Sequence, residues 1–349
     1  QGVSMFVPHG FFYTTDALAK HDAPPSSFYQ MPAWKHMGKL SEYMADLLDT
    51  ITKASKEVDV LIMDPVTSTW TAMGSKRDAN MKLRMDFSRL QRELLENHMD
   101  YYVIDPELLV QSEINDGQLK INDTLFKVLL IPPVTNIDSK TLNFIDRYLS
   151  EGGILITCGS LPAEEIEEGV DPTKVFDKHL GINSRSIYNN YLLECKREAE
   201  LMRAARNRQR RVGSSDTQGV KFDDAQDLKA NENLYIKKGN AVFVADIQKV
   251  VDIVKEFIPK KLSITSEDKE IYGIIAARYK TEEGYCYFLV NTTGKAFDAS
   301  LRLFNEVGAD VSLSIKHLGE EMEERRLSFG QGDGYINVSL HFSPFESYM

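Results

Sequence analysis

Lys127-Val128-Leu129-Leu130-Ile131-Pro132-Pro133 is the stretch whose reading decides the fold. Its centre, Val128 to Ile131, is apolar without alternation, so both of its faces need cover. That is the habit of a central parallel strand. Asp138 to Leu149 follows, with Leu142, Ile145 and Leu149 at helical spacing. Gly152-Gly153 stops that helix, and Ile154 to Thr157 is the next apolar run. Strand, helix, Gly-Gly and strand predict a βαβ unit. Val58 to Met63 and Ala241 to Ala245 match the pattern, each followed by a helical stretch. Four such runs predict one doubly wound parallel sheet in an α/β fold.

Working outward, Phe87 to Met99 reads as a helix with Phe87, Leu90, Leu94 and Leu95 inward, and Tyr101 to Ile104 as the next strand. Asn115-Asp116-Gly117 is strong turn chemistry inside a short hairpin over Ile114 to Ile121. Residues 163 to 238 break the pattern and read as an insertion. Glu164 to Glu168 is acidic there, Glu194 to Arg211 is basic at its end, and Gly213 to Gly219 is rich in Ser and Gly. The sheet resumes at Ala241, and the helix Ile247 to Phe257 is closed by Pro259. From Leu262 the style changes to short strands: Ile271 to Tyr279, Tyr285 to Asn291, Ser300 to Phe304, Asp310 to Ile315 and Tyr335 to Phe342. Strands at this spacing predict a small C-terminal β-sandwich over 262–349.

Toward the N-terminus, residues 3 to 7 read as a strand ended by Pro8-His9-Gly10. A long aromatic loop runs from Phe11 to Ala33, and Trp34 to Ala54 reads as an amphipathic helix with Met37, Leu40, Met44, Leu47, Leu48 and Ile51 on one face. One strand, one loop and one helix cannot stand alone, because the strand needs partners at its edges. Residues 1–57 are therefore expected to be the terminal βα step of a barrel, or an extra edge on the sheet that follows. The opening Gln1-Gly2-Val3-Ser4-Met5 reads as entry into mid-strand, so a fragment of a longer protein is expected. The α/β domain is expected over 58–261, interrupted at about 163–238.

Length and composition limit the function classes. The 349 residues allow two or three domains with a core of good size. Apolar residues make up 42% and charged residues 27%, as in ordinary globular proteins. A net charge of −11 argues against nucleic acid or an anionic membrane as the main partner. The three cysteines, Cys158, Cys195 and Cys286, are too few and too scattered for a disulfide framework or a zinc site. No apolar run approaches the ~20 residues of a membrane-spanning helix.

Several motifs together resemble one family. They are Phe6-Val7-Pro8-His9-Gly10-Phe11-Phe12-Tyr13, Asp22-Ala23-Pro24-Pro25-Ser26, Phe28-Tyr29-Gln30, Trp34, and Pro65-Val66-Thr67-Ser68-Thr69-Trp70. Ile114 to Leu119, Leu130-Ile131-Pro132-Pro133-Val134-Thr135, Glu151-Gly152-Gly153 and Tyr287-Phe288-Leu289-Val290-Asn291-Thr292 continue the series. Their order resembles the C-terminal portion of glycoside hydrolase family 106, the α-L-rhamnosidases. The resemblance implies a catalytic barrel, then a flavodoxin-like (class I amidotransferase-like) domain, then β domains. It implies an inverting hydrolase acting on an oligosaccharide or polysaccharide. The parent protein would sit in the periplasm or outside the cell, with the barrel N-terminal to this chain. The family's acid and base are glutamates on earlier barrel strands. No residue here matches their motifs, so no catalytic residue is assigned and the chain alone is expected to be inactive. Nor does its calcium dependence find a ligand set here.

Five residues are candidates for lining a sugar pocket: His9, Tyr13, Asp22, Tyr29 and Trp70. Loops at the carboxyl ends of barrel strands build such sites, and aromatic faces suit a sugar ring. The plainer alternative is that the aromatic residues pack the loop, His9 caps a strand end and Trp70 fills an interface. Asp16 and Asp22 could in principle flank a glycosidic bond, which needs carboxyls about 5 to 9.5 Å apart, but barrels draw such pairs from different strands. His9, His21 and Asp22 match no metal-site spacing. Cys158 lies in Thr-Cys-Gly-Ser-Leu-Pro, whose Leu161-Pro162 does not open a helix, so a buried structural thiol is expected rather than an amidotransferase nucleophile. Asp64 to Trp70 reads as a polar loop at the carboxyl end of a strand, where open α/β sheets bind ligands; it contains no glycine, against a dinucleotide or P-loop role, and no cofactor is expected. The arginine-rich stretch 194–211 reads as a solvated helix face. The alternative to a hydrolase part is a non-catalytic carbohydrate-binding or assembly module.

Overall fold

The computed structural model describes residues 5–7, 12, 14, 16, 18, 29–74, 76–211, 234–267, 269–282, 284–304, 314–315, 325–332 and 334–349. The chain divides into two compact units, Gln1–Glu57 with Lys261–Met349, and Val58–Lys260.

In the first unit, residues 5–7 form no strand and their side chains are exposed, against the strand expected over residues 3 to 7. No described strand pairs with them, and a strand without a ladder gains nothing over solvated coil. Most of the aromatic loop lies outside the described residues. The expected helix from Trp34 to Ala54 is a 3₁₀ turn, Trp34–His36, followed by α1, Met37–Thr52. Met44, Leu47, Leu48 and Ile51 are half-buried along one face of α1, while Leu40 is exposed. The segment ends in β1, Ser55–Lys56.

The second unit opens with β2 (Val60–Met63), α2 (Val66–Thr71), α3 (Arg77–Glu96), β3 (Tyr101–Ile104) and the short α4 (Pro106–Leu109). Three small strands follow, β4 (Glu113–Asn115), β5 (Gln118–Ile121) and β6 (Thr124–Phe126), then β7 (Val128–Ile131) and α5 (Ser139–Ser150). It closes with β8 (Ile154–Cys158), α6 (Thr173–Leu180), α7 (Ser184–Arg211), β9 (Tyr235–Lys238), β10 (Ala241–Val244) and α8 (Val250–Phe257). The main sheet runs β3-β2-β7-β8-β10-β9. Its pairs are parallel except for the antiparallel edge between β10 and β9.

The unbroken apolar run of β7 is explained by what covers it. Leu129 and Ile131 lie in one cluster with Phe144 and Ile145 of α5 and Phe176 of α6. Val128 and Leu130 lie in another with Leu90 and Leu94 of α3 and Val250 and Val254 of α8. All four β7 side chains are fully buried, each contributing about 1.5–3 kcal/mol by leaving water. Helices on both faces leave a strand no polar side. Asp138 caps α5 by accepting from the Thr141 N–H at 3.0 Å.

The hairpin forms as read, with β4 and β5 antiparallel and β6 added beside β5. Asp116 and Gly117 have φ of 48° and 74°, the pair of positive values that a type I′ turn needs. A Cβ on Gly117 would also lie 2.8 Å from the Gly152 carbonyl oxygen, so glycine is required there twice over. Residues 163 to 238 connect β8 to β10, and Phe176, Leu180 and Ile187 from this segment join the sheet's core.

The remainder of the first unit is antiparallel. Its strands are β11 (Leu262–Ser266), β12 (Lys269–Glu270), β13 (Ile274–Lys280), β14 (Tyr285–Asn291) and β15 (Phe297–Phe304), followed by β16 (Ser314–Ile315), β17 (Arg325–Arg326), β18 (Gly330–Gly332), β19 (Tyr335–Phe342) and β20 (Ser347–Tyr348). One sheet runs β1-β13-β14-β20 and another β12-β11-β15-β19-β18. Ile274 and Leu289 of the first share a core with Leu301, Val338 and Phe342 of the second. Of the strand expected over Asp310 to Ile315, residues 310–313 lie outside the described residues.

Candidate functional site

Of the five residues expected to line a sugar pocket, His9, Tyr13 and Asp22 lie outside the described residues, as does His21. Tyr29 sits in an exposed turn of the first unit. Trp70 belongs to the second unit and is 65% exposed. The segment Asp64 to Trp70, expected as a polar loop, is largely helical: α2 begins at Val66, directly after Pro65. Proline suits a helix start, since its missing N–H is not needed there. Among the described residues, no group of three or more His, Cys, Asp or Glu is placed to hold a metal ion.

Cys158 is fully buried. Its Sγ lies 3.8 Å from the Ile131 carbonyl oxygen. Burial, with Asp86 adding repulsion, holds its thiol well above the ordinary range. A nucleophilic thiol needs the opposite shift and access to solvent. The chain leaves β8 through Gly159, whose φ is 66° and where a Cβ would meet the Pro133 ring at 2.8 Å. It continues without a helix, so no strand-to-helix elbow presents the sulfur.

The sheet reverses its order between β2 and β7, where ligands of open α/β sheets bind. Here the chain fills that point itself. The Ser68 hydroxyl donates to the Asn136 carbonyl at 3.2 Å and accepts from the Thr135 N–H at 3.0 Å. The Asn136 amide donates to the Thr71 hydroxyl at 2.6 Å. Ser68, Thr135, Asn136 and Leu161 are all buried. Beside this plug, Asp64 at the end of β2 is pushed above the ordinary carboxylate range, by burial first and by Asp105 second.

Among the described residues, an open concavity lies elsewhere, beyond the carboxyl ends of β8 and β10, marked by Gly159 and Ala245. Helices α3 and α7 form its sides, and its volume is about 250 Å³. Lys82 of α3 reaches Asp86 at 3.3 Å and Glu198 of α7 at 2.8 Å, with only 12% of its side chain exposed. Its Nζ stands 5.4 Å from the centre of the Tyr191 ring. Burial by itself lowers its pKa, but Asp86 and Glu198 together hold it above the ordinary lysine value. Tyr191 donates its hydroxyl to Asp86 at 2.9 Å, and burial and that carboxylate keep the phenol protonated. Ala79, Leu83, Tyr191 and Cys195 pack around the same helix crossing. The sequence reading missed this cluster because Lys82 and Asp86, four apart, look like a solvated helical pair. The available signal was the i, i+4 spacing of Tyr191 and Cys195, which bridges into the stretch 194–211 expected to be a solvated helix face.

No protein-family model matches the chain, and no curated protein matches it. Solved structures do. Gan42B, a GH42 β-galactosidase from G. stearothermophilus, is 12% identical with a TM-score of 0.52, covering 96% of this chain and 44% of its own. A rhamnosidase from Novosphingobium sp. PP1Y is 12% identical at a TM-score of 0.49, covering 92% of this chain and 25% of its own. Alpha-L-fucosidase isoenzyme 2 from Paenibacillus thiaminolyticus is 9% identical at 0.46, covering 90% and 51%. The chain thus spans less than half the length of Gan42B. At this identity the likeness is one of fold alone, shared with a part of Gan42B.

Proposed function

We propose that the chain is the C-terminal part of a carbohydrate-degrading glycoside hydrolase of the α-L-rhamnosidase kind. In this reading residues 1–57 are the last βα step of a catalytic barrel. Residues 58–261 are a flavodoxin-like support, and 262–349 a β-sandwich. Counted along the chain, the parallel strands lie in the order 2-1-3-4-5, which is the flavodoxin arrangement. The two antiparallel sheets sharing one core support the sandwich assignment. The chain's job is to hold the barrel and to supply one wall of the sugar site through His9, Tyr13, Asp22, Tyr29 and Trp70.

The observation that supports the glycoside-hydrolase part of this reading is the fold likeness to Gan42B over 96% of the chain, at 44% of that enzyme's length; the rhamnosidase part rests on the order of sequence motifs from Phe6 to Thr292. The exposed Trp70 is what a stacking residue requires before its ligand arrives. The acid and base belong to the barrel, so catalysis needs both parts. The experiment uses the longer protein, including whatever precedes Gln1 in its gene, with an aryl α-L-rhamnoside as substrate. Trp70→Ala and Tyr29→Ala are expected to raise KM about tenfold with little change in kcat. An unchanged KM removes the wall role. Absence of turnover on α-L-rhamnosides removes the rhamnosidase reading. Sugar affinity without turnover in the longer protein favours a carbohydrate-binding module.

A further inference from the structure

Both chain neighbours of Trp70 are held from outside their own helix. The Asn80 amide of α3 donates to the Thr69 carbonyl at 2.6 Å. The Asn136 amide, beyond the end of β7, donates to the Thr71 hydroxyl at 2.6 Å, and that hydroxyl donates to the Ser68 carbonyl at 3.2 Å. The Ser68 hydroxyl in turn donates to the Asn136 carbonyl, which closes a ring of bonds between α2 and Asn136. The Trp70 carbonyl accepts from the Met73 N–H at 3.1 Å. Between these fixed points the indole is 65% exposed.

Helix α2 depends on these partners. It has 6 residues, well under the ~12–15 at which an isolated helix becomes stable. Val66, Thr67, Thr69 and Thr71 are β-branched, and Ser68 competes for backbone bonds, so its own propensity is low. The buried Oδ1 of Asn136 takes no hydrogen bond from the described residues, which costs stability. An apolar side chain would avoid that cost and lose only the amide's bonds to Thr71 and Thr135. Holding α2 is what calls for an asparagine. Fixing the backbone under an indole open to water buries none of its surface. A ring ordered in advance, however, loses less freedom when a ligand stacks on it.

We propose that Asn80 and Asn136 are positioning residues for Trp70, clamping the chain on either side of it so that the indole is a pre-ordered stacking surface for a sugar ring. The proposal rests on the reading of Trp70 as part of the sugar wall. Neither asparagine is itself assigned a contact with the ligand.

Two measurements separate the positioning from that reading. In the 349-residue chain carrying Trp34→Phe, Trp70 is the one remaining tryptophan, and its time-resolved fluorescence anisotropy reports local nanosecond motion. The decay is expected to follow overall tumbling, and Asn80→Ala and Asn136→Ala are each expected to add a fast local component. Asn97→Ala removes a comparable amide bond at the far end of α3, to the Glu93 carbonyl, and is expected to add none. Asn80 is half-buried, so Asn80→Ala is the milder change and decides the matter if Asn136→Ala does not fold. In the longer protein acting on an aryl α-L-rhamnoside, both variants are expected to raise KM about two- to tenfold, the cost of ordering one side chain on binding. They are expected to leave kcat unchanged and to add nothing in a Trp70→Ala background. The positioning is overturned by a Trp70 already mobile in the wild type, by variants as rigid as the wild type, by equal loosening in Asn97→Ala, or by a KM effect that persists without Trp70. A rigid Trp70 with a KM indifferent to Trp70→Ala overturns the sugar-wall reading instead, and this role with it.

Discussion

The Tyr191 hydroxyl of α7 donates to the Asp86 carboxylate of α3 at 2.9 Å, across an interface where both residues are buried. The bond joins the helix after the first sheet strand to the helix that precedes the last two. It also supplies Asp86 with a second partner besides Lys82. Tyr191→Phe keeps the ring and removes the donor. The expected loss of stability is about 1–3 kcal/mol, read from urea unfolding at pH 7. A change within a few tenths of a kcal/mol would mean that water replaces the phenol and that the crossing is looser than described.

Asp64 gives a pH dependence whose sign can be worked out. Burial first and Asp105 second raise its pKa above the ordinary aspartate value of 3.8. The folded state therefore holds the proton more tightly than the unfolded state does. Its stabilising share is complete below pH 3.8 and is lost as pH rises through the raised value. Asp64→Asn carries no such loss. The variant should match the wild type at pH 3 to 4 and become the more stable of the two toward pH 7, in melting curves recorded across that range. A variant equally stable at all pH values contradicts the shift.

Asn291 ends β14 in full burial. Its amide donates to the Lys295 carbonyl at 2.6 Å and the Ser343 carbonyl at 2.8 Å, and its Oδ1 accepts from the Thr293 N–H at 3.0 Å. Asn291→Ala strands all three groups inside the first unit. A destabilisation of about 2–4 kcal/mol is expected, again from urea unfolding. Asn291→Asp should be nearly as harmful at pH 7, since a carboxylate cannot donate to two carbonyls.

The three thiols should resist alkylation in the native state. Cys158 and Cys195 are buried, and burial pushes the Cys195 thiol to about 12 and the half-buried Cys286 to about 11. Iodoacetamide at pH 7.5 is expected to label the folded chain slowly, Cys286 first, and all three rapidly in denaturant. Fast native labelling of Cys158 would revive the amidotransferase alternative.

How much of this was legible in the sequence depends on the physics of each segment. Val128 to Ile131 was legible because a strand covered on both faces has no polar side to hide it. The Asp116-Gly117 turn was legible because few residues accept its backbone angles. Residues 5–7 misled, since a short apolar run looks like a strand whether or not a partner lies beside it. Val66 to Thr71 was read as a loop because Val-Thr-Ser-Thr-Trp-Thr is β-branched and polar, and its helix is held by tertiary bonds to Thr135 and Asn136. The start of α3 was missed for a related reason: between Arg77 and Asp86 only Ala79, Leu83 and the charged Asp86 are buried. The cleft was illegible because Lys82 and Asp86 are ordinary charges until α7 closes over them.

In the proposed reading the chain supports a sugar-cleaving site whose acid and base lie elsewhere. The most direct measurement is the rate at which the purified 349-residue chain releases aglycone from an aryl α-L-rhamnoside. The rate is expected to be no different from the buffer blank. Robust turnover that survives repurification would contradict it and require a catalytic carboxylate pair within these residues.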